Sequence, residues 1–72
     1  MGSGSVYVVN ELVGTSETSW EDAARVALQT ASASLRDLRV AEVVKMDVTV
    51  DENGAIALFR TRLNVSFKFE SG

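Results

Sequence analysis

The chain has 72 residues and contains neither cysteine nor histidine, so it forms one small domain that buries only about 60% of its unfolded surface and has no disulfide or zinc site to reinforce it. The same absences exclude Cys-His, Ser-His-Asp and other histidine-based chemistry, and an enzyme is not expected. Seven Lys and Arg against ten Asp and Glu give a net charge of −3, which argues against a nucleic-acid partner.

No apolar run approaches the roughly 20 residues of a membrane span, and no cleavable leader is evident. The chain therefore reads as cytoplasmic, without a membrane partner. Residues 1–5 read as a linker-like leader, 6–70 as a single domain and 71–72 as a tail. A core this small leaves association with further copies as the source of extra burial.

Val6 to Val13 is rich in β-branched residues and predicts a first strand, closed by a turn at Gly14-Thr15-Ser16. Thr18 and Glu21 have the spacing of a capping box, placing a helix start at Thr18. Glu21 and Asp22 then lie in the first turn, where negative charge suits the helix dipole. Trp20, Ala23, Ala24, Ala27, Ala31, Leu35 and Leu38 recur at helical spacing and predict one buried face reaching Leu38. Val26, Leu28 and Ala33 widen the apolar surface and suggest a second contact. Trp20 is in phase with the alanines, so core or helix-end packing is its expected role.

Arg39 to Val50 and Ala55 to Phe69 are β-favouring runs joined by Asp51-Glu52-Asn53-Gly54, in which Asn-Gly supplies the positive φ of a tight hairpin. In the last run Phe59, Thr61, Leu63, Val65, Phe67 and Phe69 share one face; Arg60, Arg62, Asn64, Ser66 and Lys68 share the other. The middle run breaks this alternation. Either a bulge near Val44 and Lys45 turns Ala41, Val43, Met46, Val48 and Val50 to one face, or a straight strand carries apolar residues on both.

The fold class is therefore α+β: β-α-β-β, a three-stranded antiparallel sheet wrapped around one helix. One helix covers only one side of such a sheet, and the remaining face and edges call for partners, most simply in a closed homo-oligomer.

This order and four segments resemble the dodecins, small bacterial and archaeal proteins that assemble as hollow dodecamers and often bind flavins. The segments are Glu11-Leu-Val-Gly-Thr-Ser16, Leu35-Arg-Asp-Leu38, Ala41-Glu-Val43 and Leu63-Asn-Val-Ser-Phe67. The resemblance implies a homododecamer. It also implies a flavin stacked on a Trp and bonded by a Gln, but Val40 and Arg60 occupy those positions, and Lys45 stands where some dodecins carry a carboxylate. Valine has no π face and arginine offers no acceptor, so flavin in the usual mode is not expected.

Thr18-Ser-Trp-Glu21, Arg39-Val-Ala41 and Val65-Ser-Phe-Lys68 are more similar to the calcium dodecin branch, which implies a cation site in place of the flavin pair. Calcium takes six to eight oxygen ligands, and several subunits can contribute them. Glu11 and Asp47, carboxylates within β segments, are the candidate metal ligands; alternatively they form salt bridges with Arg39, Lys45 or Arg62, or face water. Arg60 and Arg62, with Lys68, are candidates for an anion site, or they pair with Glu42 or Asp47 of a neighbour at an interface. The expected function is an oligomeric shell that binds or stores a small ligand or cation. A purely structural cage, or a flavin-binding dodecin with an altered site, is the alternative.

Overall fold

A computed structural model describes residues 4–33 and 38–68. The elements run β1 (Tyr7–Ser16), α1 (Trp20–Ser32), β2 (Leu38–Val50) and β3 (Ile56–Lys68). Strand order is β1-β3-β2, with both pairings antiparallel. The two outer strands thus run parallel to each other, joined through α1, and the hairpin return of β3 fills the gap between them.

β3 shows the alternation expected of a central strand. Thr61, Leu63 and Val65 are essentially fully buried, while the intervening Arg60, Arg62 and Asn64 are partly exposed. In β2 the register steps between Val43 and Lys45, so Val44 bulges out; Ala41, Val43, Met46 and Val48 then stand opposite Val65, Leu63, Thr61 and Phe59 on the core face. This is the bulged reading of the middle strand. Further steps fall between Leu38 and Val40 and between Thr49 and Val50.

Three boundaries differ from the sequence expectation, each for a local reason. The N-cap is Ser19 rather than Thr18: the Ser19 hydroxyl accepts from the Asp22 amide at 3.0 Å, while the Thr18 amide donates to Ser16 Oγ at 2.9 Å. Gly14, Thr15 and Ser16 form no turn but continue β1 against Thr61, Arg60 and Phe59. The helix ends at Ser32, and Leu38 belongs to β2, from which it packs against the same core cluster as the helix. Leu35 and Phe69 lie outside the described residues.

The helix buries Ala23, Ala27 and Ala31, which recur every four residues and so lie along one face. Gly14 lets this face approach β1 closely, because a Cβ there would overlap the carbonyl oxygen of Ala23 and lie 2.9 Å from Ala27 Cβ. Leu63 and Val65 complete the cluster, with Leu12, Ala24, Leu28 and Leu38 packed against it. At the other end of the chain's long hairpin, Gly54 takes a φ of 82°, and Asp51 Oδ1 accepts from the amides of Asn53 and Ala55 at 2.9 and 3.0 Å.

The helix lies over β1 and β3 and scarcely reaches β2. Consequently Val43, Met46 and Val50 remain 50–59% exposed although they point to the core side. The radius of gyration is 15.3 Å, with extents of 60 × 20 × 15 Å, against about 11 Å for a compact domain of this length. A subunit so elongated leaves much of its apolar surface for something else to cover.

Candidate functional site

Two surfaces contain nearly all the chemistry of the described residues: the sheet face turned away from α1, and the uncovered strip between α1 and β2.

On the outer sheet face the register sets the neighbours row by row. Arg60 is flanked by Thr15 and Asp47, Arg62 by Val13 and Lys45, Asn64 by Glu11 and Glu42, Ser66 by Val9 and Val40, and Lys68 by Tyr7. Directly opposed residues share a face, with Cβ atoms about 5 Å apart.

Asp47 and Arg60 form a two-point ion pair, Nε to Oδ1 at 2.7 Å and Nη2 to Oδ2 at 2.9 Å. The Arg60 hydrogen bond is the main reason the Asp47 carboxyl sits below the usual carboxylate range; desolvation opposes it, and the charges of Arg60, Lys45 and Arg62 add to it. The same pair raises the Arg60 guanidinium further above neutrality. Trp20 joins this centre from the helix side, its indole Nε1 donating to the Asp47 backbone oxygen at 3.0 Å and its ring meeting Phe59 edge-on at 5.0 Å. Its role as helix-end packing fits this geometry. Thr61 Oγ1 then donates to the Trp20 carbonyl at 2.9 Å, fastening the first turn of α1 to β3.

Glu11 lies opposite Asn64, with its carboxylate 3.9 Å from Arg62 and its side chain 54% exposed. It stands on the other side of β3 from Asp47, and four residues of β3 separate their partners, about 13 Å of strand. One chain thus does not bring Glu11 and Asp47 together, and no cluster of three or more metal-ligating side chains occurs among the described residues. Val40 and Arg60 are likewise apart: Val40 faces Ser66, six residues along β3 from Arg60, or about 20 Å. Lys45 stands directly opposite Arg62.

The second surface is an apolar groove. Ala24, Leu28, Leu38 and Ala41 line one stretch, with Glu21 and Arg25 among the polar residues beside it. Ala24 joins this to a second stretch formed by Trp20, Val43, Met46 and Thr61. The excess apolar surface on α1 noted from the sequence divides here: Leu28 turns into the core cluster and the groove, whereas Val26 is exposed.

Two functional contacts escaped the sequence reading. Ser16 is buried and its hydroxyl donates to Asp22 Oδ2 at 2.7 Å while accepting from the loop, so a residue with the look of a turn anchors the start of α1. Sequence alone pairs Arg60 with Asp47 only across an interface with a neighbouring copy; the structure makes the pair within one hairpin, where the register step near Val50 sets which residues meet.

A family model, Dodecin, matches residues 6–70. The calcium dodecin of Mycobacterium tuberculosis is 52% identical over 64 residues, covering 89% of each chain. Its crystal structure, described with a calcium-binding site, superposes with a TM-score of 0.82 at 48% identity, covering 94% of this chain and 96% of that one. The dodecin of Streptomyces coelicolor gives a TM-score of 0.89 at 32% identity over 99% and 100% of the two chains.

Proposed function

The chain belongs to the dodecin family, and we propose that it works as one subunit of a closed homo-oligomer, a dodecamer by family analogy, that binds a cation such as calcium between subunits. The observation that carries this reading is β2. Its core-facing Val43, Met46 and Val50 are exposed beside an apolar groove, and a second copy is the simplest cover for such a strip.

Calcium is suggested by the relative that bears its name. The oxygen donors for it are Glu11 and Asp47. Glu11 is loosely held and exposed, so it can turn to an ion without breaking a hydrogen bond. Asp47 has to exchange Arg60 for the cation. Glu11 and Asp47 stand apart on one chain, so one subunit brings too few oxygens to a single site for six to eight ligands, and neighbouring copies supply the rest.

Native mass spectrometry combined with calcium titration tests the proposal. A twelve-subunit species that takes up calcium in fixed proportion, with uptake reduced in Glu11→Gln, is expected. A stable monomer overturns the assembly, and an oligomer indifferent to calcium overturns the cation.

One observation favours a second reading, the purely structural cage. Both oxygens of Asp47 are already occupied by Arg60 within the chain, as they are in residues that hold architecture and take no ligand. A flavin site is not favoured, since Val40 offers no ring to stack on and Arg60 is engaged by Asp47. Unchanged flavin fluorescence on adding the protein is the expected result.

A further inference from the structure

We propose that Lys45 and Arg62 form an oxyanion clamp across β2 and β3 that takes a phosphate group. The two cations stand directly opposite one another, on the sheet face away from α1. Like charges so placed repel, and by themselves they weaken the strand pair.

Neighbouring groups offset this repulsion only in part. Asp47, the nearest acid along β2 on that face, gives both its oxygens to Arg60. Glu11 Oε2 lies 3.9 Å from Arg62 Nη1, beyond hydrogen-bonding reach. Glu42 faces Asn64 in the adjacent row. Among the described residues Lys45 makes no ion pair and no side-chain hydrogen bond, and the Arg62 guanidinium makes no hydrogen bond. Both cations also hold the Asp47 carboxyl down, so their fields overlap at that point.

Arg62 therefore presents a planar fork held only by the loose Glu11 ion pair, and Lys45 an unused point charge, about 5 Å apart at Cβ. A phosphate group fits this combination: two of its oxygens can accept the parallel N–H groups of the arginine while a third accepts from the ammonium. The site differs from the Arg60, Arg62 and Lys68 set suggested by sequence. Arg60 is spent on Asp47, and Lys68 is at the far end of β3, opposite Tyr7.

The clamp does not depend on cation binding, so the two are tested separately. Inorganic phosphate is titrated into the full-length, assembled protein by calorimetry at low ionic strength, with calcium titrated in parallel. Saturable phosphate uptake is expected, weakened about tenfold or more in Lys45→Gln and in Arg62→Gln, less in Arg62→Lys, and unchanged in Lys68→Gln. Circular dichroism checks that each variant keeps its fold. Uptake that is absent, or equal in all four variants, overturns the clamp. A change of oligomer mass in Lys45→Gln or Arg62→Gln without phosphate uptake by the parent protein also overturns it, since the two cations then meet a carboxylate of a neighbouring copy. Loss of calcium uptake with phosphate uptake intact refutes the cation reading alone.

Discussion

Asp47 and Arg60 face each other across β2 and β3 with two hydrogen bonds, and the backbone oxygen of that same aspartate receives the indole proton of Trp20. One residue thus ties the outer face of the sheet to the start of the helix on its inner face. Its ionisation gives a first test.

The Asp47 carboxyl is held below its ordinary value, chiefly by Arg60. A depressed acid binds fewer protons folded than unfolded, so its contribution to stability is present above the unfolded value and is lost as pH falls through the folded one. The window lies below about pH 4. Thermal melts of the parent and of Asp47→Asn should run at a constant offset near neutrality and converge as the acid range is entered. An offset that persists at the lowest pH would show that the charge of Asp47 contributes nothing.

Gly14→Ala should destabilise the subunit by about 1–3 kcal/mol, the usual cost of overpacking, or more. The added methyl meets the Ala23 carbonyl oxygen and Ala27 Cβ, parts of a helix that can yield only by moving as a whole. Urea unfolding followed by circular dichroism measures the loss. A neutral result would mean that α1 does not pack so closely on β1.

Thr61→Val keeps shape and burial while removing the donor to the Trp20 carbonyl. A cost of about 0.5–1.5 kcal/mol is expected, that of losing one net hydrogen bond to a carbonyl that keeps its helical partner. Trp20→Phe should cost a similar ~1–2 kcal/mol, since it strands the Asp47 backbone oxygen and shrinks the contact with Phe59. Because both changes act on one fastening, the double variant should lose less than the two single losses together.

Met46→Lys places a charge on the uncovered side of β2, where the parent side chain is 56% exposed in the single subunit. Little change is expected in a monomer. In an assembly that covers this strip, the lysine should shift native mass spectra toward smaller species at micromolar subunit concentrations. Unaltered mass distributions would place the subunit contacts elsewhere.

Much of the architecture was legible because particular residues carry unambiguous periodicity. β3 alternates strictly from Phe59 to Lys68, and the break in β2 admits a bulge at Val44, where the register does step. Leu38 misled because it lies in phase with the helix yet reaches the same core cluster from β2. Spacing reports which residues share a core, not which element delivers them. Gly14 and Ser16 were misread for a related reason: turn-forming types were needed inside a strand, one to admit the helix and one to bind its first turn. Of the candidate site, sequence supplied the charged residues, but cross-strand pairing decides which are spent and which remain open. That pairing depends on bulges whose number no local pattern fixes.

The bulge at Val44 has a bearing on how copies of this chain can meet. An edge strand of thirteen residues offers a comb of amide and carbonyl groups on which further strands can add without limit, as in a fibril. Bulges at Arg39 and Val44 interrupt that comb and break it into short, differently oriented pieces. Long-range strand addition along this edge is thereby handicapped, and side-chain docking is favoured in its place. Growth can then stop when a symmetric ring or shell closes, which keeps an exposed apolar strand compatible with a finite particle.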